Sequence, residues 1–340
     1  MSYVDDINKL LRPQITEEAV VLDLFAGCGG LSLGFEANGF RTIGYECVEG
    51  AVDTYNRNLI GHCFKDTLVV GYNYDEIENI DIIIGGPPCQ PFSRIGNQKG
   101  IEDSRDGFPI FIDAVRRIQP KVFLFENVQN ILGRHLWYFE LILRELRNLG
   151  YIVEYRVLNA VNHGVPQNRE RVITVGHKSF FNFPHKEFRK VTVGEAIGDS
   201  MFLFDDNSRF LTPEQDRYIK VYEAKSKCIN PRDLYEDKPA RTLTCRNLAG
   251  ATSDMQRVKL PDGRRRRITQ REAARLQSFP DWFEFCGTET GQFYQIGNAV
   301  PPLLSYKLAA SVKETYHTDL KTEEEIINTN AMLNGFFYEI

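Results

Sequence analysis

No stretch of this 340-residue chain approaches the roughly twenty apolar residues needed to cross a bilayer, so no membrane span is expected. The first residues, Met1-Ser2-Tyr3-Val4-Asp5-Asp6, have neither a basic start nor an apolar signal core, and secretion is not expected. The seven cysteines (Cys28, Cys47, Cys63, Cys89, Cys228, Cys245 and Cys286) are odd in number and contain no Cys-x-x-Cys pair. That excludes a disulfide framework and a zinc site; no metal is expected, and a reducing, cytoplasmic setting fits best. Basic charge is also short, with a net charge of −5, which by itself argues against a polyanionic partner. Hydrophobic (42%) and charged (26%) contents are ordinary, and the length exceeds one usual core, so one large and one smaller domain are expected.

The charge average hides a reversal. Residues 241–275 hold ten Arg or Lys against Asp254, Asp262 and Glu272, a local charge of +7 that reads as a nucleic-acid face or, more plainly, as a solvated cluster. Up to about residue 150 strand-like and helix-like runs alternate. Strands are expected at Ala19–Phe25, Arg41–Tyr45, Asp81–Ile84 and Lys121–Phe125. Helices are expected at Leu31–Asn38, Ala51–Leu59, Phe108–Ile118 and Leu136–Leu149. This alternation predicts an α/β fold with a mostly parallel, Rossmann-like sheet covered on both faces. Tyr151–Ala160 and Arg171–His177 follow with no helix between them, which suggests an antiparallel hairpin at the sheet edge. Residues 178–263 lack strong helical periodicity and read as a smaller, irregular domain. A capping box at Thr269-x-x-Glu272 opens a helix ended by Pro280, and Leu304, Leu308 and Val312 mark a final helix.

Chemistry gathers at the predicted strand ends. Asp23-Leu24-Phe25-Ala26-Gly27-Cys28-Gly29-Gly30 is a glycine-rich strand-to-helix turn, and Glu46 ends the next strand, where an acid can bind ribose hydroxyls. Ser32 stands where a dinucleotide fingerprint needs glycine. An adenosyl ligand without a pyrophosphate, such as S-adenosyl-L-methionine, therefore fits better than NAD; the plain alternative is a tight turn with no ligand. Asp66 follows in the next loop, where it could accept from an adenine amino group or simply face solvent. In Gly85-Gly86-Pro87-Pro88-Cys89-Gln90-Pro91-Phe92-Ser93 a thiol sits on a proline-stiffened backbone, as a nucleophile requires, although an incidental thiol is an equal reading. Glu126, in Glu126-Asn127-Val128, follows four apolar-rich strand residues and could hold a proton or cap a helix. Arg169 and Arg171, in Gln167-Asn168-Arg169-Glu170-Arg171, would share a face if they lie on a strand, suited to a carbonyl or phosphate or to salt bridges.

Taken in order, the segments 23–30, 85–93, 126–128, 167–171, 266–280 and 295–302 resemble the DNA (cytosine-5)-methyltransferase family. The likeness runs from about Ala19 to Leu304 apart from 178–263. It implies the class I fold of S-adenosyl-L-methionine-dependent methyltransferases with a target-recognition domain. The expected division is 1–177 plus 290–340 for catalysis and 178–289 for recognition and hinge.

The resemblance further implies that Cys89 adds to C6 of a flipped cytosine in double-stranded DNA and that Glu126 serves as an acid at N3. Arg171, with Arg169, would hold O2 or a nearby phosphate. It assigns the cofactor pocket to Phe25, Ala26, Gly27, Gly29, Gly30, Glu46, Asp66, Gly86, Pro88, Phe108, Asn298 and Ala299. Phe92–Asp106 would be a mobile, basic flap that meets DNA through Ser93, Arg94 and Arg105. Arg241 and Arg246 would read bases, while Arg264, Arg265, Arg266 and Arg267 grip phosphates. A monomeric modification enzyme of a bacterial restriction system is the expectation. A tRNA-methylating member of the family and a non-catalytic nucleotide-binding regulator are the alternatives. An NAD-dependent dehydrogenase is rejected on Ser32 and on the lack of an evident catalytic histidine.

Overall fold

The structure, a computed structural model, describes residues 2–77, 79–88, 106–206, 208–225, 232–250 and 254–336, with only the backbone of 320–336. After the helix α1 (Tyr3–Leu10) the first half alternates: β1 (Val20–Leu24), α2 (Gly30–Glu36), β2 (Arg41–Glu46), α3 (Glu49–Asn58), β3 (His62–Lys65) and β4 (Ile80–Gly85). It continues with α4 (Phe108–Ile118), β5 (Val122–Val128), α5 (Leu136–Asn148), β6 (Ile152–Asn159), β7 (Gln167–Asn168) and β8 (Glu170–His177). The later part contains α6 (Val193–Ile197), α7 (Pro213–Lys225), β9 (Ala240–Arg241), α8 (Cys245–Ala249), β10 (Arg257–Lys259) and β11 (Arg265–Arg267). It closes with α9 (Gln270–Leu276), α10 (Glu289–Asn298) and α11 (Pro302–Phe336).

Seven strands form one sheet in the order β3-β2-β1-β4-β5-β8-β6. The first five are parallel, and β8 runs antiparallel to both β5 and β6. The expected terminal hairpin is present, with β8 inside the sheet and β6 at the edge. Side-chain alternation sets the layers. Val21, Ile82, Ile84, Val122 and Leu124 enter one core with α2 and α11, whereas Leu22, Leu24, Ile83, Phe123 and Phe125 enter another with α4 and α5. Both faces are covered, which is why these strands read as continuous apolar runs. This is an α/β fold built on a mostly parallel, Rossmann-like sheet, as the alternation of elements predicts.

The final helix packs along the first helix of the sheet. A Cβ on Gly34 would lie 2.3 Å from the Tyr306 nitrogen and 2.4 Å from the Ser305 carbonyl carbon, so only glycine permits this approach. The Ser305 hydroxyl donates to the Leu31 carbonyl at the same crossing.

A third core joins α3 to α6, α8, α9 and α10. Most of 178–263 is irregular, as expected, but α7 within it is a regular helix of 13 residues. Ile219 is its one buried residue, so almost no apolar face exists to leave a periodic trace.

Gly34→Ala should lower stability by about 1–3 kcal/mol, because helix backbone, not a movable side-chain tip, must give way. Urea unfolding measures this, and an unchanged midpoint would contradict the close crossing.

Candidate active site

The chain runs from β1 outward through β2 to β3, then returns to β4 on the other side of β1 and proceeds to β5. Adjacent β1 and β4 thus form a switch point, and their carboxyl ends open a crevice. The turn after β1 is held in an uncommon backbone: Phe25 (φ 63°), Gly27 (φ 55°) and Gly29 (φ 85°) are all left-handed. Glu46, from the end of β2, accepts the Gly27 N–H at 3.0 Å and, through its other oxygen, the Val48 N–H at 2.9 Å. Asp66 is exposed and accepts from the Tyr72 hydroxyl (2.5 Å) and the Thr67 N–H (2.7 Å), and these bonds hold its carboxyl below the usual range. Ala26 and Gly30 are buried in the turn and at the start of α2, respectively. Around Gly86, after β4, no heavy atom of the described residues other than its chain neighbours lies within 4 Å of where a Cβ would stand. A strained glycine turn, two carboxylates at successive strand ends and open space by Gly86 fit an adenosyl ligand. Phe108, expected at the methyl-donor end, is instead fully buried and packs edge-on to Phe125 and Tyr138.

The Pro87–Pro88 segment is fastened from both sides. Asn127 Nδ2 donates to the Pro87 carbonyl at 3.0 Å, and the Gly107 N–H donates to the Pro88 carbonyl at 2.9 Å. Beside them the Asp106 carboxylate accepts from the Tyr138 hydroxyl and, at 3.1 Å, from the Phe108 N–H. Cys89, Ser93, Arg94 and Arg105, with most of the expected flap, lie outside the described residues.

At the end of β5, Glu126 and Arg171 form an ion pair of 2.6 Å between Oε1 and Nε, both side chains nearly buried. The antiparallel register of β5 and β8 brings them together, with Val128 opposite Arg171. Arg169 does not share that face. It precedes β8, is 1% exposed, and donates to the carbonyls of Leu243 (2.8 Å), Gly297 (3.2 Å) and Asn298 (3.4 Å). Burial, and then the Arg171 charge, push its guanidinium down to about 9, so it remains charged at neutral pH. The expectation of Arg169 as a substrate-holding group gives way to that of an internal joint.

Asn298, exposed at the end of α10, accepts from the Cys245 thiol at 2.9 Å, and the Ala299 N–H closes the helix on Gln295. Gln167 is a joint that sequence reasoning missed. It donates to Gln277 Oε1 and to the Leu276 carbonyl and accepts the Leu243 N–H at 2.8 Å, contacts across about a hundred residues that leave no local signal. Between β8 and β9 lies a polar cavity of about 540 Å³ lined by Gln129, Asn159, Asn168, Glu170, Arg171, Arg241 and Thr242.

The basic segment is mostly neutralised from within, which corrects its reading as a row of phosphate grips. Arg266, the middle residue of β11, points inward and is 2% exposed. It pairs with Glu272 at 2.7 Å and donates to the Ser200 and Met201 carbonyls. Arg265 pairs with Asp233 and Asp216, Arg241 with Asp254, and Arg257 with Glu223 and Asp233. Arg267 donates to the Leu248 and Ala249 carbonyls. Arg264 pairs with Asp262 and lies over the rings of Phe204 (4.8 Å) and Phe210 (4.3 Å), with half of its side chain exposed. Arg246, on α8 beside the cavity-lining Thr242, is exposed and has no ion pair among the described residues.

Beneath the glycine turn a buried chain of hydrogen bonds runs from Asp23 through Ser32, Tyr55 and Thr42 to Glu36. Asp23 is 1% exposed and one of its oxygens has no partner. Burial, aided by the Glu46 charge and opposed by the Ser32 hydroxyl, raises its carboxyl to about 7. Among the described residues there is no cluster of His, Cys, Asp or Glu able to hold a metal ion, and no helix long and apolar enough to cross a membrane.

Comparison with known proteins agrees with this geometry. Residues 20–314 match the family model for C-5 cytosine-specific DNA methylase. The chain is 57% identical over 319 residues to the type II methyltransferase M.AplI of Arthrospira platensis, covering 93% of this chain and 92% of that protein. It is 31% identical to the type II methyltransferase M.XorII of Xanthomonas oryzae pv. oryzae, covering 90% and 87%. In fold it is similar to the Entamoeba histolytica methyltransferase EhMeth, with a TM-score of 0.67 at 18% identity over 90% of this chain and 99% of that one. The S. pombe Dnmt2 methyltransferase gives a TM-score of 0.67 at 18% identity, over 87% and 98%.

Asp23 has a pH signature. Its carboxyl is raised to about 7 in the fold, so its contribution is fully present below the ordinary aspartate range and is lost as pH rises through about 7. Asp23→Asn should flatten the fall of the thermal midpoint between pH 5 and about 8. Equal slopes for the two proteins would remove Asp23 from the explanation.

Proposed function

The chain belongs to the C-5 cytosine-specific DNA methylase family, and on that premise we propose that it methylates C5 of a cytosine turned out of a specific short duplex, with S-adenosyl-L-methionine as methyl donor. The observation that carries this reading is the Glu126–Arg171 pair, set at the end of β5 beside the Asn127–Pro87 bond that fastens the approach to Cys89. An acid, a guanidinium and the backbone leading to a thiol thus converge at adjacent strand ends.

Cytosine C5 is a poor nucleophile until a group adds at C6. The Cys89 thiolate forms that bond, and electron density moves through the ring toward N3. For this step Glu126 carries a proton: its carboxylic acid donates to N3 as Cys89 adds, so that charge does not build up there, and takes the proton back when Cys89 leaves. Arg171 fixes the Glu126 carboxylate and is close enough to serve the O2 atom of the same ring. S-adenosyl-L-methionine, when bound, supplies an electrophilic methyl group for C5. Its binding is assigned to the Phe25–Gly30 turn, Glu46, Asp66, Gly86 and Pro88, with Asn298 and Ala299 closing the pocket. A water molecule then takes the C5 proton, and the electron pair of that C–H bond expels the Cys89 thiolate and restores the aromatic ring. Turning the base out of the stack costs a few kcal/mol, roughly, which contacts to the DNA must offset.

Residues 1–177 with 290–340 are assigned to catalysis and 178–289 to recognition. Arg241, which lines the polar cavity, and Arg246, exposed on α8, are the base-reading candidates, and Arg264 is the remaining candidate of its row for a phosphate contact. The type II names of M.AplI and M.XorII support the modification half of a restriction system.

Methylation-sensitive sequencing of duplex DNA incubated with the enzyme should reveal one short methylated sequence. Transfer of labelled methyl to tRNA but not to duplex DNA would overturn the assignment. Cys89→Ser should abolish turnover while keeping DNA binding. Glu126→Gln should lower kcat by about 10²- to 10⁴-fold, the usual contribution of a positioned acid. Full turnover in either variant would refute the mechanism.

A further inference from the structure

The helix α1 precedes residue 20, where the family match begins, and none of its residues is among those assigned to the cofactor pocket or the reacting centre. It is built to persist: the Ser2 hydroxyl accepts the Asp5 N–H while the Asp5 carboxylate accepts the Ser2 N–H. Its inner face belongs to the catalytic body, because Ile7 and Leu11 are buried in the sheet core that contains α2 and α11. Its other contacts reach the turn that follows α9. The Asn8 side-chain oxygen accepts the Asp281 N–H at 2.6 Å, and the Asn8 carbonyl accepts the Trp282 indole N–H at 3.1 Å. The Arg12 guanidinium lies 4.5 Å from the centre of the Trp282 ring. Tyr3 packs against both the sheet core and the core of the later elements.

That turn is in turn tied to the part of the chain assigned to recognition. Arg275, at the end of α9, grips the Asp281 carboxylate with two bonds (2.8 and 2.9 Å) and the Asp199 carboxylate with two more (2.7 and 2.9 Å). At the start of α9, Glu272 pairs with Arg266 of β11. A displacement of the Trp282 turn would therefore be transmitted through α9 to β11. The C-terminal end of α9 is held a second time by Gln277, which donates to the Ile296 and Ala299 carbonyls beside the pocket-closing residues. Thus α9 is fixed from two sides, and α1 is the side that the catalytic apparatus does not supply.

We propose that α1 is a clasp that positions the recognition part for DNA: Asn8 and Arg12, through the Asp281–Trp282 turn and α9, set the angle at which β11 and its neighbours face the crevice. The proposal rests on the assignment of duplex DNA as substrate. Asn8 and Arg12 are positioning residues, since no reacting atom is near them. Loosening the clasp leaves the glycine turn and the Glu126–Arg171 pair in place. Its effect falls on how well the recognition part and the crevice engage one duplex together.

Steady-state methylation by Asn8→Leu/Arg12→Ala tests this. The KM for duplex DNA should rise about three- to tenfold, the cost of one or two weak bonds, with kcat at saturating DNA and the affinity for S-adenosyl-L-methionine unchanged. Discrimination between the methylated sequence and single-mismatch duplexes should fall in parallel. Arg12→Ala alone, at an exposed position, guards against misfolding of the double variant, and Arg12→Lys should restore part of the loss by keeping a cation over the indole. Unchanged KM and discrimination in the variants, or a parallel fall of kcat and cofactor affinity, would overturn the clasp. Failure of the wild-type protein to methylate duplex DNA would instead defeat the functional assignment.

Discussion

A buried guanidinium holds this structure together at its most consequential point. Arg169 is 1% exposed and donates to carbonyls of Leu243, Gly297 and Asn298, so two separate segments converge on one side chain. Burying a cation is costly unless its donors are satisfied, and here backbone carbonyls supply most of the compensation. The planar fork suits this, because it can serve several acceptors at fixed angles where an ammonium could not. The result is directional. Two residues later Arg171 emerges on β8 opposite Val128 and meets Glu126, while Asn298 is held at the end of α10. The Glu126–Arg171 pair and the end of α10 are therefore set by the same internal bond pattern.

The same economy governs the arginine-rich segment. Its ten cations are answered by Asp254 inside the segment and by Asp216, Glu223 and Asp233 outside it, with Asp199 and Asp281 on Arg275. Most of these guanidinium groups are ribs of a small, loop-rich body with short strands, where β10 and β11 pair over only three residues each. A body with so little regular backbone pairing takes part of its shape from side-chain ion pairs. The cations left over for a polyanion are few, and Arg246 is the clearest of them. This reconciles an acidic protein with membership of a DNA methylase family: among the described residues of this segment the free cations are few and local.

How far the sequence discloses this depends on whether a signal is local. The helix Phe108–Ile118 is found with the bounds the sequence predicts, since Gly107 before it, Pro109 in its first turn and its buried face are encoded within one segment. The layering of the sheet and the glycine turn were legible for the same reason. Arg266 was not, because strand alternation sends it inward to Glu272, a residue whose spacing from Thr269 announces only a helix cap. Glu272 performs both tasks, accepting the Thr269 N–H at 2.8 Å with an oxygen that also takes Arg266. Arg169 and Gln167 were visible as a motif but not as joints, since their partners lie some 75 to 130 residues onward. The helix α7 escaped because it packs too little to need a periodic face.

The turn after β1 shows why local strain and long-range order belong together. Phe25 is a non-glycine residue with φ of 63°, a conformation that costs about 1–2 kcal/mol and persists only where the surroundings fix it. Two such constraints are present. The Ala26 N–H donates to the Tyr45 carbonyl at 3.0 Å, and the Gly27 N–H donates to Glu46 at 3.0 Å, so the end of β2 grips the turn. Those bonds occupy the carboxylate only in part, because each oxygen can accept more than one donor. A ribose hydroxyl could thus be accepted without releasing the turn. Glu46 would then both preorganise the site and contact its ligand, and the strain at Phe25 would already be met before any ligand arrives.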